Sequence, residues 1–247
     1  MRGFWKLTWV EIKLYFRIPI MAFFTLALPP MLLLLFGSIF GNVPNPAYGG
    51  YGTVDVSVPA YSALIICLSA LLSLPITLAS YRERGTLRRY RATPVSPATV
   101  LGAQLVVQFL MTLAGMGLLV LLGKLVYHIR FDGNAWEVLA AFALSCLSFF
   151  AVGLLLAGIL PSVRLASIVG NVLLYPMIYL SGATIPSQIM PEGVQKFSQF
   201  IPLTHVVTFL QGLWRGENWS QHTTEAIILS AMLVVCSLAA LKAFRWE

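Results

Sequence analysis

Six long apolar runs are the feature that most constrains how this chain can fold. Each approaches the roughly 20 residues that a helix needs to cross a bilayer. They lie at about 20–40, 60–80, 100–123, 136–160, 165–185 and 226–241. The runs are continuously apolar, whereas the strands of a membrane β-barrel alternate between apolar and polar residues. Because a helix pairs its own backbone amides, the pattern predicts an all-α membrane protein with six transmembrane helices.

Charge is scarce and is concentrated between the runs. Only 10% of the residues are charged, whereas a soluble domain carries charge on about a quarter of its residues. The net charge of +7 lies next to the apolar runs, so we expect contact with anionic membrane lipids and no nucleic-acid partner. The three cysteines fall inside apolar runs without a CxxC pair, which predicts neither a disulfide framework nor a metal site; they are Cys67, Cys146 and Cys236.

The basic residues also predict an orientation. Twelve Lys and Arg residues fall on the side of the two termini, and four fall on the other side. The positive-inside rule therefore predicts a multi-pass protein of the plasma membrane, the inner membrane in a bacterium, with both termini in the cytoplasm. The first apolar run is too long for the core of a cleavable signal peptide, so we expect it to stay as a signal anchor.

Two segments outside the runs have patterns of their own. Residues 2–18 place a basic stripe beside an aromatic surface, which is typical of a helix lying in the membrane interface; the alternative is a frayed leader associated with lipid. Glu11 lies nearly opposite the stripe and would be buried against lipid unless a neighbour pairs with it. The loop 186–224 predicts two short helices that dip into the outer leaflet, punctuated by prolines, or else an ordinary amphipathic surface loop.

Residues that would support chemistry inside the membrane are missing from the predicted spans. Only Glu137 lies within a span, at its outer end, so an ion-coupled secondary transporter is disfavoured. A serine protease would need Ser181 and His205 held together inside the bundle, and His205 lies outside the spans. The chain also has no GxxxxGK[ST] phosphate loop, so any ATP-derived energy must come from another polypeptide.

The loop after the second run reads YRERGTLRRYRATPVSP, residues 81–97. Anchoring to anionic lipid accounts for part of its arginine content. A lipid anchor does not require the glutamate, the Gly–Thr–Leu sequence or the two prolines. These residues predict a short helix that begins near Gly85 and Thr86 and ends at Pro94, with Leu87 available to a partner's groove.

This loop resembles the E-[KR]-G-T-L…T-P-V segment in permease subunits of type-2 ATP-binding-cassette exporters. The resemblance extends to EIKLYFRIPIMAFFTLALPP at the first span and to YLSGATIPSQIMPEGVQKFSQFIPLTHVVTFLQGL after the fifth. It implies export of an amphipathic or hydrophobic drug, antibiotic or lipid along the first, second and fifth spans. It also implies a second permease copy, identical or paralogous, and a cytoplasmic ATPase subunit that carries ATP–Mg, with no cofactor on this chain and no enzyme activity of its own.

The resemblance assigns residues to three regions and divides the chain into a connecting helix, 1–19, and a six-span domain, 20–247. The ATPase-coupling residues would be Arg82, Glu83, Gly85, Thr86, Leu87, Arg88, Thr93 and Pro94. Glu11 and Arg17 would belong to the connecting helix. The outer gate would comprise Ser181, Gly182, Pro186, Pro191, Pro202 and His205. An ion-driven carrier and a non-transporting membrane scaffold remain the alternative functions.

Overall fold

The computed structural model describes residues 2–17, 19–86, 96–184 and 190–243. Within these ranges every regular element is a helix, and six helices are long and apolar enough to cross a membrane. The predicted all-α fold class with six spans is therefore confirmed. The helices, numbered in chain order, are α1 (Arg2–Arg17), α2 (Phe23–Phe40), α3 (Thr53–Glu83), α4 (Pro97–Tyr127), α5 (Ala135–Ile159), α6 (Val163–Leu180), α7 (Glu192–Ser198), α8 (Pro202–Trp214) and α9 (Trp219–Ala243).

The second span is longer than its apolar run indicated. Helix α3 begins at Thr53, well before residue 60, because the Asp55 carboxylate accepts the Gly52 backbone N–H at 2.8 Å and completes the helix start. The last span also extends to Trp219 through a short 3₁₀ turn. By contrast, α6 ends at Leu180 rather than near residue 185, because the chain turns at Ser181 and at Gly182, whose φ is +85°.

Helix α3 is the centre of the bundle. In its most apolar stretch 89% of the residues are buried inside the protein, whereas the shares in the corresponding stretches of α6 and α9 are 22% and 11%. A helix that is apolar on all sides must be surrounded either by protein or by lipid. Helix α3 is therefore enclosed by its neighbours, while α6 and α9 turn most of their surface outward.

Two spans contain a π-helical turn directly before a proline. Phe23–Ala27 in α2 precedes Pro29 and Pro30, and Ser69–Ser73 in α3 precedes Pro75. A proline has no N–H to donate and its ring crowds the carbonyl four residues earlier, so the wider turn relieves a clash inside the helix. Pro29, Pro30 and Pro75 are thus each accompanied by a π turn, whereas Pro59 lies in regular α-helix.

The π turn of α3 is packed closely by two glycines of other spans. A Cβ atom at Gly153 of α5 would lie 2.3 Å from the Ala70 carbonyl oxygen, and one at Gly170 of α6 would lie 2.4 Å from the Leu71 oxygen. Small residues allow membrane helices to approach this closely. The two glycines therefore set the spacing of α5 and α6 against α3.

The short helix α8 is wedged into one end of the bundle. Its buried side includes Leu203, Phe209 and Leu213, and the Gln211 amide donates to the Val56 carbonyl of α3 at 3.2 Å. The sequence predicted two short helices here, and the structure contains α7 and α8 at these places. The burial of α8 excludes the alternative of an ordinary surface loop for this part of the segment.

Candidate functional site

A long groove runs between α2, α3 and α6. Its section beside Ser73, called the inner section because the basic residues predict that this end faces the cytoplasm, has a volume of about 410 Å³, and the other, outer section about 850 Å³. The two sections share Leu64, Tyr175 and Ile178 as lining residues, so they adjoin each other along α3. These are the spans that the resemblance assigned to the cargo pathway.

The walls of this groove are apolar with small polar groups at intervals. Thr25, Ser73 and Asn171 line the inner section. Tyr61 is one of the polar residues that line the outer section. None of the described lining residues is an Asp, Glu, Lys, Arg or His. A pocket of this composition suits a ligand that is largely hydrophobic and carries a few hydrogen-bonding groups.

A buried polar layer joins α3 to α4 behind the inner section. The Gln108 amide donates to the Ser69 carbonyl at 3.1 Å, and the Thr112 hydroxyl donates to the Ser69 hydroxyl at 3.1 Å. The Ser69 carbonyl belongs to the π turn, so Gln108 stabilises the irregular backbone there. The sequence analysis missed this layer, although Gln104, Gln108 and Thr112 recur at a spacing of four residues, which marks one face of a helix.

At the opposite end of α3 from Asp55, two predicted coupling residues are tied to the turn between α5 and α6. The Arg82 guanidinium donates to the Leu160 and Ala157 carbonyls at 2.9 and 3.0 Å. The Glu83 carboxylate accepts the Val163 N–H at 2.8 Å. Arg82 thus satisfies the free carbonyls at the end of α5, and Glu83 satisfies a free amide at the start of α6.

Helix α3 ends immediately after this tie. Gly85 has a φ of +66°, and its N–H bonds to the Arg82 carbonyl at 3.0 Å, as expected for a glycine that terminates a helix. Thr86 is again helical. The remaining predicted coupling residues lie outside the described residues: they are Leu87, Arg88, Thr93 and Pro94.

Helix α1 is attached to the same end of α3. Glu11 is buried, and its carboxylate accepts a hydrogen bond from the Tyr81 hydroxyl, which is the neighbour that the sequence analysis required. Burial raises the pKa of the Glu11 carboxyl, and the Tyr81 hydrogen bond opposes that shift. Tyr15 packs against Val107 of α4, whereas Arg17 is exposed at the end of the helix. The placement of α1 in a membrane interface stays a prediction.

The predicted outer-gate residues shape turns rather than meeting at one point. Ser181 is buried at the end of α6, where its hydroxyl bonds to the Ile178 carbonyl at 3.4 Å and accepts the Ala183 N–H at 3.3 Å. His205 pairs through Nε2 with the Gln199 carbonyl at 3.0 Å. The two side chains have separate partners, so the geometry lacks the hydrogen bond of a Ser–His pair. Pro191 and Pro202 precede and begin α7 and α8, respectively, and Pro186 lies outside the described residues.

The prediction that Glu137 is the one charged residue within the spans is wrong, because the helices extend beyond the apolar runs. The longer helices contain seven further charged residues: Asp55, Arg82 and Glu83 in α3, Lys124 in α4, Arg164 in α6, and Glu225 and Lys242 in α9. These residues lie towards the helix ends. Asp55 is buried and accepts hydrogen bonds from the Asn42 amide and the Arg130 N–H, each at 2.9 Å.

The residues that the structure describes include no cluster of three or more His, Cys, Asp or Glu side chains suited to a metal ion. Six spans around a buried central helix, with a groove whose described lining residues carry no charge, define a multi-pass membrane protein.

Comparison with known proteins gives the family. Residues 2–213 match the model of the ABC-2 type transporter, and the chain belongs to this family of membrane transport permeases. The chain is 28% identical over 200 residues to the Inner membrane transport permease YhhJ of Escherichia coli (strain K12), which covers 78% of this chain and 52% of that protein. It therefore spans about half the length of that curated relative.

Two further relatives have related names. The Putative transport permease YvfS of Bacillus subtilis (strain 168) is 25% identical over 162 residues, covering 65% of this chain and 64% of that protein. The Probable multidrug ABC transporter permease YbhR of Escherichia coli (strain K12) is 24% identical over 148 residues, covering 60% of this chain and 40% of that protein. The family match confirms the resemblance stated from the sequence.

Proposed function

We propose that this chain is the membrane-spanning permease subunit of an ATP-driven exporter for amphipathic or hydrophobic cargo. The observation that carries the proposal is the groove between α2, α3 and α6, whose described lining residues carry no charge. A small ion would lose its hydration there without a compensating charge. A drug, antibiotic or lipid would instead bury its apolar surface and use the groove's hydroxyl and amide groups.

Energy enters, on this proposal, at the inner end of α3. Arg82 and Glu83 join that end to α5 and α6, and Tyr81 joins it to α1. The segment that follows Thr86 docks a cytoplasmic ATPase subunit, which binds ATP–Mg. A displacement of this segment is then transmitted to three helices at once, and the spans rock between inward-open and outward-open arrangements.

A second permease copy completes the pathway. The groove is open on one side and is flanked by exposed apolar residues of α2 and α6, including Phe24, Leu35, Ile168 and Val172. A copy related by a two-fold axis would cover these faces and enclose the grooves. The pair is a homodimer or a heterodimer of paralogues. Both termini and the segment after Thr86 lie in the cytoplasm, as the distribution of basic residues favours.

The coupling role is tested in vesicles that contain the chain and the ABC ATPase subunit that copurifies with it. Leu87→Asp should abolish transport of a fluorescent amphipathic drug such as doxorubicin, because it places a charge where an apolar docking contact is proposed. Lys196→Gln on α7 is the matched control, since Lys196 is exposed at the other end of the bundle. Normal transport by Leu87→Asp, with unchanged ATP hydrolysis, would refute the docking assignment.

The cargo class is tested by the ATPase activity of the same complex. Hydrophobic drugs and lipids should stimulate ATP hydrolysis, and a response confined to Na⁺ or other ions would contradict the proposal. A non-transporting scaffold predicts neither stimulation nor drug accumulation in the vesicles. Stimulation together with accumulation therefore separates the permease from the scaffold.

A further inference from the structure

A second groove opens between α4 and α5, away from the proposed pathway. Its volume is about 600 Å³, within the ~300–1,000 Å³ typical of ligand pockets. It shares no lining residue with the groove between α2, α3 and α6. It lies at the end of the bundle that carries the connection between α4 and α5, the outer end in the proposed orientation.

Two aromatic residues that line this second groove are held in fixed positions. Trp214 at the end of α8 is buried, and its indole Nε1 donates to the Arg130 carbonyl at 3.0 Å. The Phe131 ring packs edge-on against the Trp214 ring, with 4.7 Å between the ring centroids. Both aromatic residues line the groove, so the end of the groove beside the α4–α5 connection is a built apolar surface.

The wall formed by α4 contains an opening at Gly117. A Cβ atom at this position would meet no heavy atom within 4 Å, although Gly117 lines the groove between the larger residues Leu113 and Leu121. The missing side chain therefore widens the groove along its length. The widened groove is suited to a flexible hydrocarbon chain.

The charge at the mouth belongs to Lys124. This residue lines the groove, is exposed, and lies about one turn before the end of α4 at Tyr127. Within the part of the chain that the structure describes, it forms no salt bridge, whereas the nearby Arg130 pairs with Asp132 at 3.3 Å. A lysine near the end of a span extends its amine to the head-group level, where an anion compensates its charge.

We propose that this groove binds one anionic glycerophospholipid from the leaflet beside the α4–α5 connection. The phosphate contacts the Lys124 ammonium at the end of the groove beside Trp214, and the acyl chain lies along Gly117 towards Leu113. The lysine favours an anionic lipid over a second copy of the chain, because the same apolar groove presents a positive charge at the depth of lipid head groups. This lipid is a bound component of the permease and is separate from the transported cargo.

Photolabelling of the reconstituted chain tests the proposal. Phosphatidylglycerol and phosphatidylcholine, each with a diazirine in the acyl chain, are compared, and the adducts are mapped by mass spectrometry. We expect adducts on residues 113–124 and 135–139, and about a fivefold preference for the anionic lipid, as one favourable lysine contact predicts. Equal labelling by the two lipids would overturn the assignment of the phosphate to Lys124.

Two variants with matched controls separate the chain site from the head-group site. Gly117→Leu should remove the groove adducts, whereas Gly193→Leu on α7 should retain them, since a Cβ at either glycine has open space. Lys124→Gln should remove the preference for phosphatidylglycerol, whereas Lys196→Gln should not. Unchanged groove labelling in Gly117→Leu, or cross-linking of this groove to a second copy of the chain, would refute the lipid site.

Discussion

Replacement of Gly153 by alanine tests the central position of α3. The new Cβ atom would lie 2.3 Å from the Ala70 carbonyl oxygen, so α5 must move until the separation reaches at least 3.0 Å. Overpacking of this kind costs about 1–3 kcal/mol. Alanine also gains about 1 kcal/mol of helix propensity over glycine, and a control is needed to remove that contribution.

Gly117→Ala is the matched control, because it makes the same replacement in a span where the Cβ has open space. Relative to this control, Gly153→Ala should lower the thermal midpoint by about 2–12 °C, from the cost above and the usual change of Tm with stability. The assay is tryptophan fluorescence during heating of the purified protein in mild detergent. Equal midpoints for the two variants would refute the close approach of α5 to the π turn.

Three further outcomes follow from the polar ties. Because burial raises the pKa of Glu11 above its ordinary value near 4.5, docked α1 holds the proton more tightly than undocked α1. The docking of α1 on α3 should therefore weaken as the pH rises from 4.5 through the raised pKa. Glu11→Gln should remove this pH dependence. The mobility of a spin label on α1 measures the docking. Gln108→Leu should lower the free energy of unfolding by about 1 kcal/mol, because the hydrogen bond to the π turn is lost. Gln104→Leu should lower it by less, because the Gln104 Oε1 is buried without a partner among the described residues. Arg82→Lys should increase hydrogen exchange at the end of α5, since lysine cannot span the two α5 carbonyls as the guanidinium does.

The number of spans could be predicted from the sequence because hydrocarbon imposes a minimum length on every apolar helix. The exact ends could not, because they depend on hydrogen bonds between distant residues. Asp55 was left outside the second span, yet its carboxylate completes the start of α3 and binds the backbone of Arg130. Apolar content alone does not predict a buried carboxylate whose oxygen atoms both accept hydrogen bonds.

The candidate site shows the same division. The spans that line the groove and the uncharged character of its walls could be predicted from the sequence and the family resemblance. The contacts of Arg82 and Glu83 with the α5–α6 turn could not, since a charged loop residue gives no indication of which helix end it caps. Gln104, Gln108 and Thr112 recur every four residues in the sequence, but uncharged polar residues at this spacing give no indication of the π turn that Gln108 binds.

The central claim is that transport is powered by ATP on a partner subunit and not by an ion gradient through this chain. The most direct measurement is doxorubicin uptake into inverted membrane vesicles that contain the chain and the proposed ATPase subunit, with ionophores present to collapse all ion gradients. The account predicts that ATP sustains uptake under these conditions and that a proton or Na⁺ gradient without ATP sustains none. Uptake driven by an imposed gradient in vesicles that contain this chain alone would contradict it.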